Sequence, residues 1–242
     1  MVRFRVGKSY WFKRMKVAAI IFSRMASSRL PGKALRHIAG EPLIKRVINR
    51  VSKVKKLSTV VVATSNSKND DRLVEYIQSL NIEVFRGAAH DVLNRAVSCA
   101  SYLGVDKFIR INGDSPLIDP ELLEKVIEMW REPNLDLISN VFPRTYPVGT
   151  SVEIIKTDSL KKILSLTVDS CDREHVTRFF YRNPEKFRIL NFESGRSDLS
   201  NVRLAVDTEE DLERIDWLFK EFGGLINFEM AAEKSLLWRR VE

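Results

Sequence analysis

Five apolar residues in a row, Val17-Ala18-Ala19-Ile20-Ile21, run straight into a polar loop that extends from Phe22 to Lys33. A continuous apolar run of this kind suits a strand buried on both faces, as in parallel sheets covered by helices. A helical pattern resumes near Glu41, so the loop sits at the carboxyl end of the first strand. Open α/β sheets bind their ligands at that end. The loop carries Arg24, Arg29 and Lys33, with Ser27, Ser28 and Gly32 between them. Small residues let main-chain N–H groups turn inward, and three cations suit a polyanion. The alternative for such a stretch is a solvated basic turn.

The rest of the chain continues the alternation. Strands are expected at 17–22, 59–64, 82–85 and 106–111, and helices at 42–54, 70–80, 90–103 and 120–131. Further strands are expected at 136–140, 150–155, 187–192 and 202–206, then a helix over 208–222. Val60-Val61-Val62-Ala63 is again continuous and β-branched. The pattern predicts an α/β fold with a mostly parallel central sheet between helical layers. Asp119-Pro120-Glu121 reads as a helix start, with Asp as cap and Pro in the first turn. The expected organisation is a basic extension over 1–14, one domain over 15–222, and a helical tail over 223–242.

Composition narrows the function classes. No stretch approaches the roughly 20 apolar residues of a membrane helix. The net charge is +8, which raises the question of nucleic acid. Five of the positive charges, Arg3, Arg5, Lys8, Lys13 and Arg14, fall in the first fourteen residues, which hold no acid. The excess is therefore largely local, and no nucleic-acid partner is expected. Gly7-Lys8-Ser9 imitates the end of a phosphate loop, but Val2 stands where its first glycine belongs and no buried strand precedes it. Cys99 and Cys171 lie far apart without a CxxC neighbour. They are expected to be reduced thiols of a cytoplasmic protein.

The segment Arg24-Met25-Ala26-Ser27-Ser28-Arg29-Leu30-Pro31-Gly32-Lys33 closely resembles the nucleotide-binding signature of the cytidylyltransferase family. Within it, the chain is most similar to the branch of spore coat polysaccharide biosynthesis proteins. The likeness runs from about Lys16 to about Phe222. It implies a Rossmann-like nucleotidyltransferase fold in three layers. It also implies transfer of CMP from CTP to a sugar or sugar acid, with loss of pyrophosphate, and a homodimer. Arg24 and Lys33 match positions associated with the triphosphate. Arg29, Ser27, Ser28 and Gly32 are candidates to complete the nucleotide site. Ala26-Ser27-Ser28 stands where family members usually have Gly-Ser-Thr.

Ile111-Asn112-Gly113-Asp114-Ser115-Pro116-Leu117 resembles the family's Gly-Asp-x-Pro-Leu motif, and Val206-Asp207-Thr208-Glu209-Glu210-Asp211-Leu212 its late Val-Asp-Thr motif. Asp114 and Asp207 then fall at the ends of strands and are the expected Mg²⁺ ligands. Asp207 has a competing role as cap of the following helix. Asp211 is expected to support the helix start.

Four residues are candidates for the substrate: Arg86, Glu153, Arg173 and His175. Arg86 reads equally well as one half of a surface ion pair. Thr64-Ser65 and Asp70-Asp71 read as either base contacts or turn chemistry. Glu153 lies in a stretch resembling the branch's Gly-x-Asp-Val-Glu, where Ser151 replaces the Asp. It is a candidate for a sugar hydroxyl or for a supporting place behind the site. Arg173 and His175 belong to Asp172-Arg173-Glu174-His175-Val176-Thr177, which also matches the branch. His175 is either a general base or a structural histidine. Three alternatives remain at this level. They are a sugar-1-phosphate nucleotidyltransferase using UTP or GTP, a glycosyltransferase, and a non-catalytic nucleotide-binding protein. Asp114-Ser115-Pro116 lacks the second acid of the Asp-x-Asp expected of a glycosyltransferase.

Overall fold

The computed structural model describes residues 16–132 and 134–238. The expected basic extension at 1–14 lies outside the described residues. In chain order the elements begin with β1 (Val17–Phe22), β2 (His37–Ile38), β3 (Glu41–Pro42), α1 (Leu43–Val51), β4 (Thr59–Ser65) and α2 (Asp71–Ser79). They continue with β5 (Glu83–Gly87), α3 (Val92–Tyr102), β6 (Lys107–Asn112), α4 (Pro120–Met129), β7 (Leu137–Ser139) and β8 (Glu153–Lys156). The last are α5 (Thr157–Leu166), α6 (Ser170–Glu174), α7 (Arg178–Arg182), β9 (Ile189–Asn191), α8 (Glu209–Phe222) and α9 (Phe228–Ser235).

Among these residues a seven-stranded sheet runs in the order β5-β4-β1-β6-β8-β7-β9. β1 pairs in parallel with β4 and β6, and β4 with β5. β8 runs antiparallel to both β6 and β7, and β7 and β9 are parallel. The sheet is therefore mostly parallel, as its apolar strands predict. Alternate residues of β1 feed two cores. Ala19 and Ile21 join the core that includes Ile44 of α1, Leu123 of α4 and Ile215 of α8. Ala18 and Ile20 join the one that includes Ala96 of α3, Leu160 of α5 and Phe180 of α7. That two-sided burial is the physical content of the unbroken apolar run.

One expectation changes. The segment 202–206 is extended but adds no strand to the sheet. It makes one isolated bridge, Val148 with Arg203. The N–H of Leu204 donates to the Val148 carbonyl, and that of Val206 donates to the Asp114 carbonyl at 2.9 Å. Its apolar residues Leu204 and Val206 are buried by packing under the main core, so alternation imitated a strand. Within the helical tail expected over 223–242, the described residues form α9. Phe228, Ala231 and Ala232 of α9 are part of the same core as β1. No helix among the described residues is long and apolar enough to cross a membrane.

Candidate active site

The carboxyl ends of β1 and β6 open onto a cleft of about 700 Å³. The loop from β1 forms one side of it. Leu30 is buried in the core and anchors the middle of that loop. Gly32 adopts φ 71°, ψ 12° and introduces a single 3₁₀ turn over Lys33–Leu35. The left-handed conformation suits glycine and turns Lys33 toward the cleft. The N–H of Gly32 donates to the Met25 carbonyl at 3.0 Å, closing the loop. The Ser27 hydroxyl accepts from the N–H of Leu30, while Ser28 and Arg29 stand exposed at the rim.

Lys33 is the centre of the site. Its Nζ donates to Asp114 Oδ2 at 2.9 Å, to Asp207 Oδ1 at 3.0 Å and to the Val206 carbonyl at 2.8 Å. Asp207 also pairs with Arg29 at 3.0 Å and with Arg203 at 2.8 Å. Burial works to raise the Asp207 pKa, but the Lys33 hydrogen bond, supported by Arg29 and Arg203, outweighs it. The carboxyl titrates below its ordinary value. The competing cap role falls to its neighbour. Thr208 caps α8 in a reciprocal box with Asp211, whose carboxylate accepts from the N–H groups of Asp207 and Thr208. The Asp207 side chain is thus left to face Lys33.

Asp114 is held by close backbone contact. The N–H of Gly113 donates to the Phe22 carbonyl at 2.8 Å. A Cβ at 113 would lie 2.6 Å from the Ser23 Cβ, so the glycine lets the ends of β1 and β6 touch. Two carboxylates gathered round one ammonium form a hard oxygen donor set. Mg²⁺ takes such a set when substrate phosphates and water complete its shell. Among the described residues no cluster of three or more His, Cys, Asp or Glu gathers for a metal. The pair therefore fits a metal that shares its ligands with a phosphate, rather than one caged by protein.

The opposite side of the cleft is formed from α3, α6 and β6. His90, Arg95, Arg110, Glu174 and His175 line it. Arg24 crosses toward it, pairing with Glu174 at 2.6 Å and donating to the Ala89 carbonyl at 3.2 Å. Of these, Arg95, Arg110 and Glu174 were not legible as site residues. Arg95 is buried in α3 and donates to the Ala88 carbonyl. Arg110 interrupts an apolar strand, and a charge inside such a strand was the one available signal.

Three of the four substrate candidates move out of the cleft lining. Arg86 turns back on its own neighbourhood, donating to the Ser65 and Ser67 carbonyls and pairing with Asp71 at 2.7 Å. Arg173 pairs with Asp91, the cap of α3, at 2.9 Å and donates to the Thr167 and Leu164 carbonyls. Both guanidiniums are consumed by main-chain oxygens and one carboxylate, and neither lines the cleft. Glu153 is 2% exposed and lies behind Arg110. Only His175 lines the cleft itself. Asp70 settles as turn chemistry that serves the loop, accepting from the Met25 N–H.

The sequence model of the cytidylyltransferase family matches residues 18–235. The chain is 31% identical over 210 residues to the spore coat polysaccharide biosynthesis protein SpsF of Bacillus subtilis, covering 84% of this chain and 86% of that one. It is 32% identical over 191 residues to the 3-deoxy-manno-octulosonate cytidylyltransferase of Geobacter metallireducens, covering 77% and 67%. The solved structure of a cytidylyltransferase from Leptospira borgpetersenii serovar Hardjo-bovis superposes with a TM-score of 0.86 at 30% identity, covering 91% of this chain and 93% of that one. The match extends from β1 to α9 and takes in the loop with Lys33 and both of its carboxylate partners, and the chain belongs to the cytidylyltransferase family.

Proposed function

We propose that this protein transfers CMP from CTP to a sugar or sugar acid and releases pyrophosphate, with Mg²⁺ held by Asp114 and Asp207. The observation that carries the reading is the meeting of three chain segments at Lys33. The signature loop, the end of β6 and the lead into α8 deliver one ammonium and two carboxylates to one point. Nucleotidyl transfer asks little covalent chemistry of a protein. It needs a triphosphate held still and its charge neutralised while an acceptor oxygen attacks in line.

Arg24, Arg29 and Lys33 bind the phosphates, with Ser27, Ser28 and Gly32 shaping the loop around them. Lys33 also holds Asp114 and Asp207 together against their mutual repulsion. Asp114 and Asp207 would hold Mg²⁺, which would supply Lewis-acid stabilisation of the developing phosphate charge. His175 also lines the cleft. CTP is a cytoplasmic metabolite, and both cysteines are free thiols, so the cytoplasm is the compartment that goes with this reading.

Pyrophosphate release with Mg²⁺ tests it, using CTP, UTP, GTP and ATP against a panel of sugar acids, sugar phosphates and neutral sugars. CTP should be the preferred nucleotide. Asp114→Asn and Lys33→Met should each lower kcat by about 100-fold or more, and chelation should abolish turnover. A rate indifferent to both Asp114→Asn and chelation would refute the mechanism. Preference for UTP or GTP with a sugar 1-phosphate would replace the reaction by its nearest neighbour.

A further inference from the structure

We propose that Arg203 is a positioning residue that withholds one oxygen of Asp207 from the metal, so that Asp207 binds through Oδ1 alone and the site favours Mg²⁺ over Ca²⁺. The inference rests on the nucleotidyl-transfer reading above and gives the selectivity of its metal site a residue of its own.

Asp207 has both oxygens occupied, but by different kinds of partner. Oδ1 accepts from Lys33 Nζ at 3.0 Å and pairs with Arg29 at 3.0 Å. Oδ2 accepts from Arg203 Nη1 at 2.8 Å. Lys33 and Arg29 line the cleft, and Arg203 does not. The proposed function turns Lys33 and Arg29 to the phosphates, which frees Oδ1 on the cleft side. Arg203 stands outside that lining, so Oδ2 keeps its partner. Asp114 has no counterpart of Arg203: among the described residues its one ion pair is with Lys33.

The main chain fixes this arrangement. Leu204 and Val206 are buried in the core and hold the segment down. The Val202 carbonyl accepts from the Val148 N–H at 2.8 Å, and the Leu204 N–H donates back to the Val148 carbonyl at 2.6 Å. Gly149 permits that approach, because a Cβ there would lie 2.4 Å from the Ala205 nitrogen. Arg214 Nη2 donates to the Arg203 carbonyl at 3.1 Å and to Asp211 Oδ1 at 2.6 Å. The other oxygen of Asp211 accepts from the Asp207 N–H at 3.0 Å. The Arg214–Asp211 pair therefore grips the main chain at Arg203 and at Asp207, the two ends of the Oδ2 ion pair.

The consequence for a metal follows from ion size. Ca²⁺ is large, takes a flexible shell and accepts both oxygens of one carboxylate. Mg²⁺ is small and demands a near-ideal octahedron, which the narrow bite of a carboxylate does not fit. A guanidinium on Oδ2 blocks the two-oxygen mode and leaves the one-oxygen mode intact. Partners behind a metal ligand set its orientation in this way. The charge of Arg203 repels both ions alike and shifts both affinities by the same factor. Only the geometry changes their ratio.

The experiment is titration calorimetry of CTP into the full chain without acceptor, in saturating Mg²⁺, in saturating Ca²⁺ and in EDTA. Wild type should bind CTP about tenfold more tightly with Mg²⁺ than with Ca²⁺. Arg203→Gln should cut that preference to about threefold or less by strengthening binding with Ca²⁺. Its affinity in EDTA should change by less than about twofold. Arg203→Lys, which returns a cation to Oδ2, should restore part of the preference. The Arg203 side chain is 43% exposed, and thermal melts check that each variant is folded. Should Arg203→Gln fail to fold, Arg203→Met keeps the aliphatic stem and should show the same loss of preference. An unchanged Mg²⁺-to-Ca²⁺ ratio in the folded variant, or no preference for Mg²⁺ in wild type, would overturn the proposal. CTP binding that neither metal strengthens would remove the metal from the proposed function, and no CTP binding at all would remove the nucleotidyl-transfer reading, each taking this inference with it.

Discussion

The carboxylate of Asp70, at the start of α2, accepts the main-chain N–H of Met25 at 2.7 Å and so ties the turn after β4 to the loop after β1. Asp70 is 1% exposed, and its other oxygen accepts from the Thr64 hydroxyl and from the N–H and hydroxyl of Ser65. One buried carboxylate thus sets the height of the loop that carries Arg24 and Lys33.

Burial alone would raise the Asp70 pKa, but donors from Ser65, Met25 and Thr64 outweigh it and hold the carboxyl below its ordinary value of 3.8. A carboxyl lowered on folding stabilises the fold fully above its unfolded pKa. The contribution is lost as pH falls through the lower folded value. Asp70→Ala should cost about 3 kcal/mol and raise the KM for CTP. Urea titrations at neutral and at acid pH provide the check. The gap between wild type and Asp70→Asn should shrink as the pH is taken below the ordinary carboxyl value.

The two glycines of the site should fail differently. At Gly32 an added Cβ meets only the Met25 side-chain end at an ordinary 3.5 Å, so Gly32→Ala pays for its left-handed φ alone. The expected loss is about 1 kcal/mol, with a larger drop in kcat as Lys33 shifts. At Gly113 the Cβ would sit 2.6 Å from Ser23 and 2.8 Å from the Phe22 carbonyl. Gly113→Ala should cost about 3 kcal/mol by overpacking and should separate Asp114 from Lys33. Chemical denaturation beside pyrophosphate release would tell the two apart.

The Arg24–Glu174 pair occupies a cation that the proposed function assigns to the triphosphate. Both side chains are about one-third exposed, 33% and 37%, so the pair is worth at most about 1 kcal/mol. Glu174→Gln should therefore tighten CTP by no more than about fivefold. Arg24→Ala should weaken CTP by about tenfold or more. Calorimetric Kd values for CTP with the two variants decide the matter. A loss of affinity in Glu174→Gln would show that the carboxylate positions Arg24 rather than competing for it.

Arg86 and Arg173 are framework residues. Arg173→Ala strands Asp91 at the start of α3 and two carbonyls, and should lower stability by about 2 kcal/mol. Arg86→Ala, at a more exposed pair, should lower it by about 1 kcal/mol. Neither should move the KM for CTP or acceptor more than about twofold when measured well below the melting temperature.

What the sequence determined by itself was the parallel part of the sheet and the motifs at its strand ends. β1, β4 and β6 were legible because strands buried on both faces must be apolar at every position, and that leaves an unbroken signal. The loop to Lys33, Asp114 and Asp207 were legible because strand ends followed by Gly, Pro and charge stand out against such runs. The segment 202–206 deceived for a related reason. Leu204 and Val206 alternate like a strand, yet their backbone partners are Val148 and Asp114 in loops. Tertiary structure alone decided which charged side chains line the cleft. Arg86, Arg110 and Arg173 are chemically identical in a sequence. Their fates depend on which carbonyls and carboxylates are near once the chain has closed, and for Arg110 that partner is Glu153, 43 residues further along. The donors of Arg86 and Arg173 are met by main-chain carbonyls and one carboxylate each, and neither lines the cleft, whereas Arg110 does.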